Sequence, residues 1–109
     1  MALVFAASSC GDDGASGKSS PGARLFAEKG CVACHGARGE GTFMGPPLRG
    51  LGQSWKREEL ARFFADPMGR TKGDERLAAL AKRFPAPMAP IVASESERLV
   101  LADWVLAFE

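Results

Sequence analysis

Two thiols and an imidazole fall within five consecutive residues, Cys31-Val32-Ala33-Cys34-His35, and the capacity for chemistry is concentrated there. Three chemistries compete for a C-x-x-C pair. A thioredoxin-like redox couple wants a βαβ surround, and nothing in this chain alternates strand with helix. A structural zinc site needs four ligands, yet outside the pentapeptide the chain offers only Cys10 and no second His. Covalent haem attachment uses all three side chains in the order observed. Two thiols three positions apart project from one turn toward the two vinyl groups of a single porphyrin, and the imidazole of the next residue is carried beneath the iron. The spacing favours this third chemistry, with one covalent haem c as cofactor. His35 is the sole histidine and so the sole imidazole available to the iron.

A chain of 109 residues has room for one domain and a modest core. Closing around a large apolar macrocycle would supply much of that core, so the chain without haem is expected to fold poorly. With 14 basic and 13 acidic residues the formal charge is only +1, which gives no electrostatic signature of a nucleic-acid binder. Partner choice must rest on local patches.

Residues 1–9 are apolar and small and read as the remnant of a secretion signal. Ala7-Ser8-Ser9-Cys10 resembles a bacterial lipoprotein cleavage site, with Cys10 the lipidated residue that anchors the protein to a membrane. The alternative for Cys10 is a spare thiol. Residues 10–19 are mostly Gly, Ser, Asp and Ala and read as a flexible tether spanning on the order of 15–20 Å. No stretch approaches the length of a membrane span.

The remainder, 20–109, reads as the folded domain, all-α. Ser20-Pro21 gives a hydroxyl cap and a first-turn proline, Leu25 and Phe26 an apolar face, and Gly30 a stop. A Gly-rich loop follows His35. A second helix opens at Trp55 with Ser54 as cap, carries Leu60, Phe63 and Phe64, and ends at Asp66-Pro67. Residues 69–73 read as a loop and 74–84 as a third helix. Pro85, Pro87 and Pro90 bracket Met88 in a stiff extended segment. The last helix, 94–108, begins with the capping-box pattern Ser94-Glu95-Ser96-Glu97 and carries Val100, Leu101, Trp104, Val105 and Phe108 on one face.

Gly22 and Phe26, then the C-x-x-C-H motif, then Gly45-Pro46-Pro47-Leu48-Arg49-Gly50, the proline-flanked Met88 and the final amphipathic helix with its aromatic occur in one order. Together they resemble class I cytochromes c of the small bacterial monohaem kind, over residues 20–108. One residue more than usual separates the aromatic from Cys31. The resemblance implies a small cytochrome c fold, with the N- and C-terminal helices crossing near Gly22 and Phe26, and two further helices and loops around one haem. It further implies that the Pro46 carbonyl bonds the second ring nitrogen of His35, fixing the ring and raising its basicity, that Leu48 packs on the macrocycle, and that Trp104 serves packing. Trp55 stands where the family often bonds a haem propionate, although plain core is an equal reading.

For the sixth iron ligand Met44, Met68 and Met88 compete. Met44 is only nine residues beyond His35 and Met68 follows Asp66-Pro67 closely, so neither reaches the opposite haem face easily. Met88 sits where the family places its ligand. The implied function is a one-electron carrier of a bacterial respiratory chain rather than an enzyme. It would be a monomer in the periplasm, lipid-anchored, exchanging electrons with a respiratory reductase and oxidase. The alternatives are a haem peroxidase or gas sensor with a displaceable Met, or a subunit docked on a larger oxidoreductase.

Overall fold

A computed structural model describes residues 20–108. The expectations for the leader, the tether and Cys10 lie outside the described residues. The first helix, α1 (Pro21–Glu28), begins as its sequence dictates: Ser20 Oγ accepts from the Ala23 N–H at 3.2 Å, and Pro21 occupies the first turn. It buries Gly22, Leu25 and Phe26. Gly30, at φ +80°, lets the chain turn directly into the short helix α2 (Cys31–His35).

The last helix, here α6 (Glu95–Leu106), carries the reciprocal cap: the Glu97 N–H donates to Ser94 Oγ at 3.1 Å and the Ser94 N–H to Glu97 Oε1 at 3.0 Å. It crosses α1 at Gly22. A Cβ there would collide with the Trp104 side chain, so the missing side chain is what allows the close approach. Around the crossing Phe26, Trp104 and Phe108 form a ring cluster, with centroids 5.1 Å, 5.7 Å and 4.8 Å apart in tilted and edge-on pairs. Gly22→Val is therefore expected to destabilise the haem-loaded protein by about 1–3 kcal/mol through overpacking, with its visible spectrum unchanged; the denaturant midpoint of the holoprotein measures it.

Between these ends lie α3 (Arg57–Ala65), α4 (Pro67–Lys72) and α5 (Glu75–Ala81). Helix α3 packs on α6 through Leu60, Ala61 and Phe64, all buried in one cluster with Phe26, Leu101, Ala102 and Val105. On the surface Arg57 grips Asp103 with two hydrogen bonds of 2.7 and 2.9 Å. That bond holds the Asp103 carboxyl below the usual carboxylate range.

Three local boundaries differ from the sequence reading. The expected loop at 69–73 is largely helical, because Asp66 accepts from the Gly69 N–H at 3.1 Å and Pro67 supplies a pre-set first turn, starting a new helix where the old one stops. Ser54 does not cap α3. It closes a 3-10 turn over Leu51–Gln53, and α3 starts after Lys56, whose N–H bonds Glu59 Oε1 at 3.0 Å. Helix α5 ends at Ala81 and continues as turns to Phe84, since the residue before Pro85 is kept out of the α region. No strand is present among the described residues, only an isolated antiparallel bridge between Thr42 and Gly45.

Candidate functional site

Helix α2 is five residues long, too short to stand alone. It is held from beneath by the Gly-rich loop. The Gly41 N–H donates to the His35 carbonyl at 2.7 Å, Thr42 Oγ1 to the Cys34 carbonyl at 2.6 Å, and the Leu48 N–H to the Gly39 carbonyl at 2.8 Å. Among the loop positions that have to be glycine are Gly39 and Gly45. Gly39 adopts φ +67° with the Phe108 ring where a Cβ would stand, and a Cβ on Gly45 would meet the Cys34 carbonyl oxygen at 2.9 Å. The loop is therefore folded tightly against the motif.

This packing fixes the imidazole. His35 Nδ1 lies 2.7 Å from the Pro46 carbonyl oxygen. A carbonyl can only accept, so Nδ1 carries the proton and Nε2 is left with its lone pair free for a metal. The ring is thus set in the tautomer that an axial iron ligand requires.

Cys31, Cys34 and His35 share the wall of one apolar cavity of about 550 Å³, within the range of small-molecule and cofactor sites. Leu60, Phe63 and Phe64 of α3 and Leu77 and Leu80 of α5 line it, and Met88 enters from the proline segment. Both thiols are free, and burial pushes the Cys31 thiol up to about 11. A redox C-x-x-C needs the opposite, a depressed thiol. No group of three or more His, Cys, Asp or Glu placed to hold a metal ion occurs among the described residues, which leaves the zinc alternative without its ligand set. Two thiols and a prepared imidazole on the wall of an apolar cavity of this volume fit a covalently attached haem.

The remaining sequence-derived positions, Pro46, Leu48 and Trp55, line the same cavity. Trp55 meets Phe63 edge-on at 5.3 Å and has the Arg76 guanidinium 5.5 Å above its ring. Its indole N–H has no acceptor among the described residues. Met44 and Met68 line the cavity as well as Met88, so position on the wall does not by itself separate the three sulfurs. Their surroundings differ. Met44 belongs to the turn that is bonded to the Cys34 carbonyl, on the His35 side. Met68 on α4 is 54 % exposed, and Met88 is half-buried against the core.

A family model described as Cytochrome c matches residues 19–108. The chain belongs to the cytochrome c family. It is an all-α member that binds one covalent haem c, and the family function is electron transfer. No curated protein and no solved structure gives a significant match. Among the described residues no helix is long and apolar enough to cross a membrane. Thr42, which pins the Cys34 carbonyl, is not foreshadowed by the sequence, because a lone Thr among glycines bonded to a backbone oxygen leaves no pattern to find.

Proposed function

We propose that this cytochrome c is a one-electron carrier of a bacterial respiratory chain whose iron is held between His35 Nε2 and the Met88 sulfur. The observation that carries the reading is the bond from His35 Nδ1 to the Pro46 carbonyl, in a cavity that Met88 also lines. Bound haem supplies the redox couple, an iron that alternates between ferrous and ferric. The chain does the rest. His35 Nε2 and the Met88 sulfur would hold the iron and leave no place for a substrate, and the apolar wall and the thioether would both favour the ferrous state. Cys31 and Cys34 tie the macrocycle edge to α2, where Val32 is 37 % exposed, and electrons would cross there through a small transient interface with each partner. Trp55 offers its indole N–H to a propionate.

The setting proposed is the periplasm, with residues 1–9 a signal remnant, Cys10 lipidated and residues 10–19 a tether from which a monomeric domain reaches a reductase and an oxidase. Spectroelectrochemical titration tests the carrier: a reversible one-electron wave with both states low-spin is expected, and a high-spin state in either contradicts it. Intact mass after expression in a secretion-competent bacterium tests the anchor. A mature chain starting at Cys10 with diacylglycerol is expected; an unmodified Cys10 contradicts it.

One observation favours a second reading. Among the described residues, no backbone hydrogen bond ties residues 85–90 to the rest of the chain, and a segment so held could release Met88 to let peroxide, NO or CO reach the iron.

A further inference from the structure

The segment bearing Met88 is stiff, because Pro85, Pro87 and Pro90 fix its backbone. A stiff arm holds its tip only as firmly as its root is held. On the C-terminal side that root is Ile91-Val92-Ala93, and every polar backbone contact recorded there is made by another element. The Ile91 N–H donates to the Phe64 carbonyl of α3 at 2.8 Å, and the Ile91 side chain is buried. The three successive carbonyls are all taken by cations. Arg98, on the first turn of α6, folds back and donates through Nη1 to the Ala93 carbonyl and, at 3.4 Å, to that of Ile91. Lys29, at the end of α1, donates through Nζ to the Val92 carbonyl at 2.7 Å.

The salt bridges among the described residues involve Arg57 with Glu58 and Asp103, and neither Lys29 nor Arg98. The side-chain hydrogen bonds of both cations go to this one short stretch of backbone, and Lys29 also lies near enough to Glu97 to lower its carboxyl. Hydrogen bonds from charged donors are about twice as strong as neutral ones. Here they approach the root from two different helices, α1 and α6, which cross each other at Gly22. We infer that Lys29 and Arg98 are positioning residues: they clamp the root of the Met88 arm from both sides and so set how firmly its sulfur is kept in the cavity. This rests on the Met88 ligation proposed above.

An added ligand captures the conformers in which the arm has swung away, so its apparent affinity rises with their population. Losing one charged clamp raises that population about tenfold. The test is imidazole titrated into the oxidised holoprotein, followed by loss of the weak far-red sulfur-to-iron charge-transfer band, with thermal melting in parallel. Arg98→Met and Lys29→Met are each expected to bind imidazole about tenfold more tightly. Arg98→Lys, which keeps a charged donor, recovers most of the original resistance. Arg57→Met, which removes the grip on Asp103 and touches nothing in the arm, lowers the melting temperature without changing imidazole affinity.

If Arg98→Met and Lys29→Met melt earlier but bind imidazole no more tightly than the unmodified protein, the clamp is overturned while Met88 ligation stands. If the unmodified protein lacks the far-red band, Met88 ligation fails and the clamp with it.

Discussion

A chain with both Cys31 and Cys34 replaced by alanine is expected to lose its haem and, with it, cooperative folding. The cavity those thiols border measures about 550 Å³ and is walled by Leu60, Phe63, Phe64, Leu77 and Leu80. At about 24 cal/mol per Å³, a dry void of that size would cost on the order of 10 kcal/mol. A domain of this length has a total stability of only about 5–15 kcal/mol. A wall left bare of haem would therefore remove a large part of what the α1, α3 and α6 core provides. Because the cavity opens to solvent, water entering it would lessen that cost, while leaving the apolar faces of α4, α5 and the Met88 arm uncovered. Far-UV circular dichroism during heating measures the effect. The haem-loaded protein should melt in one sharp transition, and the double variant should show reduced helicity and no cooperative transition. A double variant that melts as sharply as the holoprotein, within a few degrees of it, would show that the fold does not depend on its cofactor.

The second large effect is expected at Met88. A thioether stabilises ferrous iron, so Met88→Ala should lower the reduction potential by on the order of 100 mV, with about 59 mV for each tenfold change in the preference for the reduced state. The far-red band should vanish, and the ferric iron should become partly high-spin as water enters. Met44→Ala and Met68→Ala should leave both band and potential close to those of the unmodified protein, because Met44 belongs to the turn on the His35 side and Met68 is more than half exposed. Protein-film voltammetry together with the oxidised spectrum reads all three variants. If Met68→Ala, rather than Met88→Ala, abolishes the band, the arm is not the ligand-bearing segment, and α4 takes that role.

The features legible in the sequence are those whose geometry is local or whose residue type is unusual. Cys31, Cys34 and His35 announce themselves by spacing. Ser94 and Glu97 cap α6 as the pattern requires, and Gly22 is explained once Trp104 is seen to press against it. Pro46 could be placed beside His35 only through the family resemblance, since nothing intrinsic to a Pro-Pro turn shows which carbonyl faces an imidazole. Helix α4 was hidden because Gly69 and Thr71 are weak helix formers; its start depends on Asp66 and Pro67 acting together, which by themselves mark the end of α3 equally well. Lys29 and Arg98 were illegible for a different reason. Their partners are backbone carbonyls, which every residue has, so only three-dimensional placement reveals that two surface cations share one target.

With His35 and Met88 both on the iron, outside ligands should be shut out and electron transfer left as its only chemistry. Carbon monoxide added to the ferrous holoprotein tests this most directly, with Met88→Ala as the open-iron comparison. The unmodified protein should keep an unchanged spectrum, and Met88→Ala should promptly form a CO adduct. Prompt CO binding by the unmodified protein would contradict ligation by both residues and make ligand binding or catalysis at the iron the function to pursue.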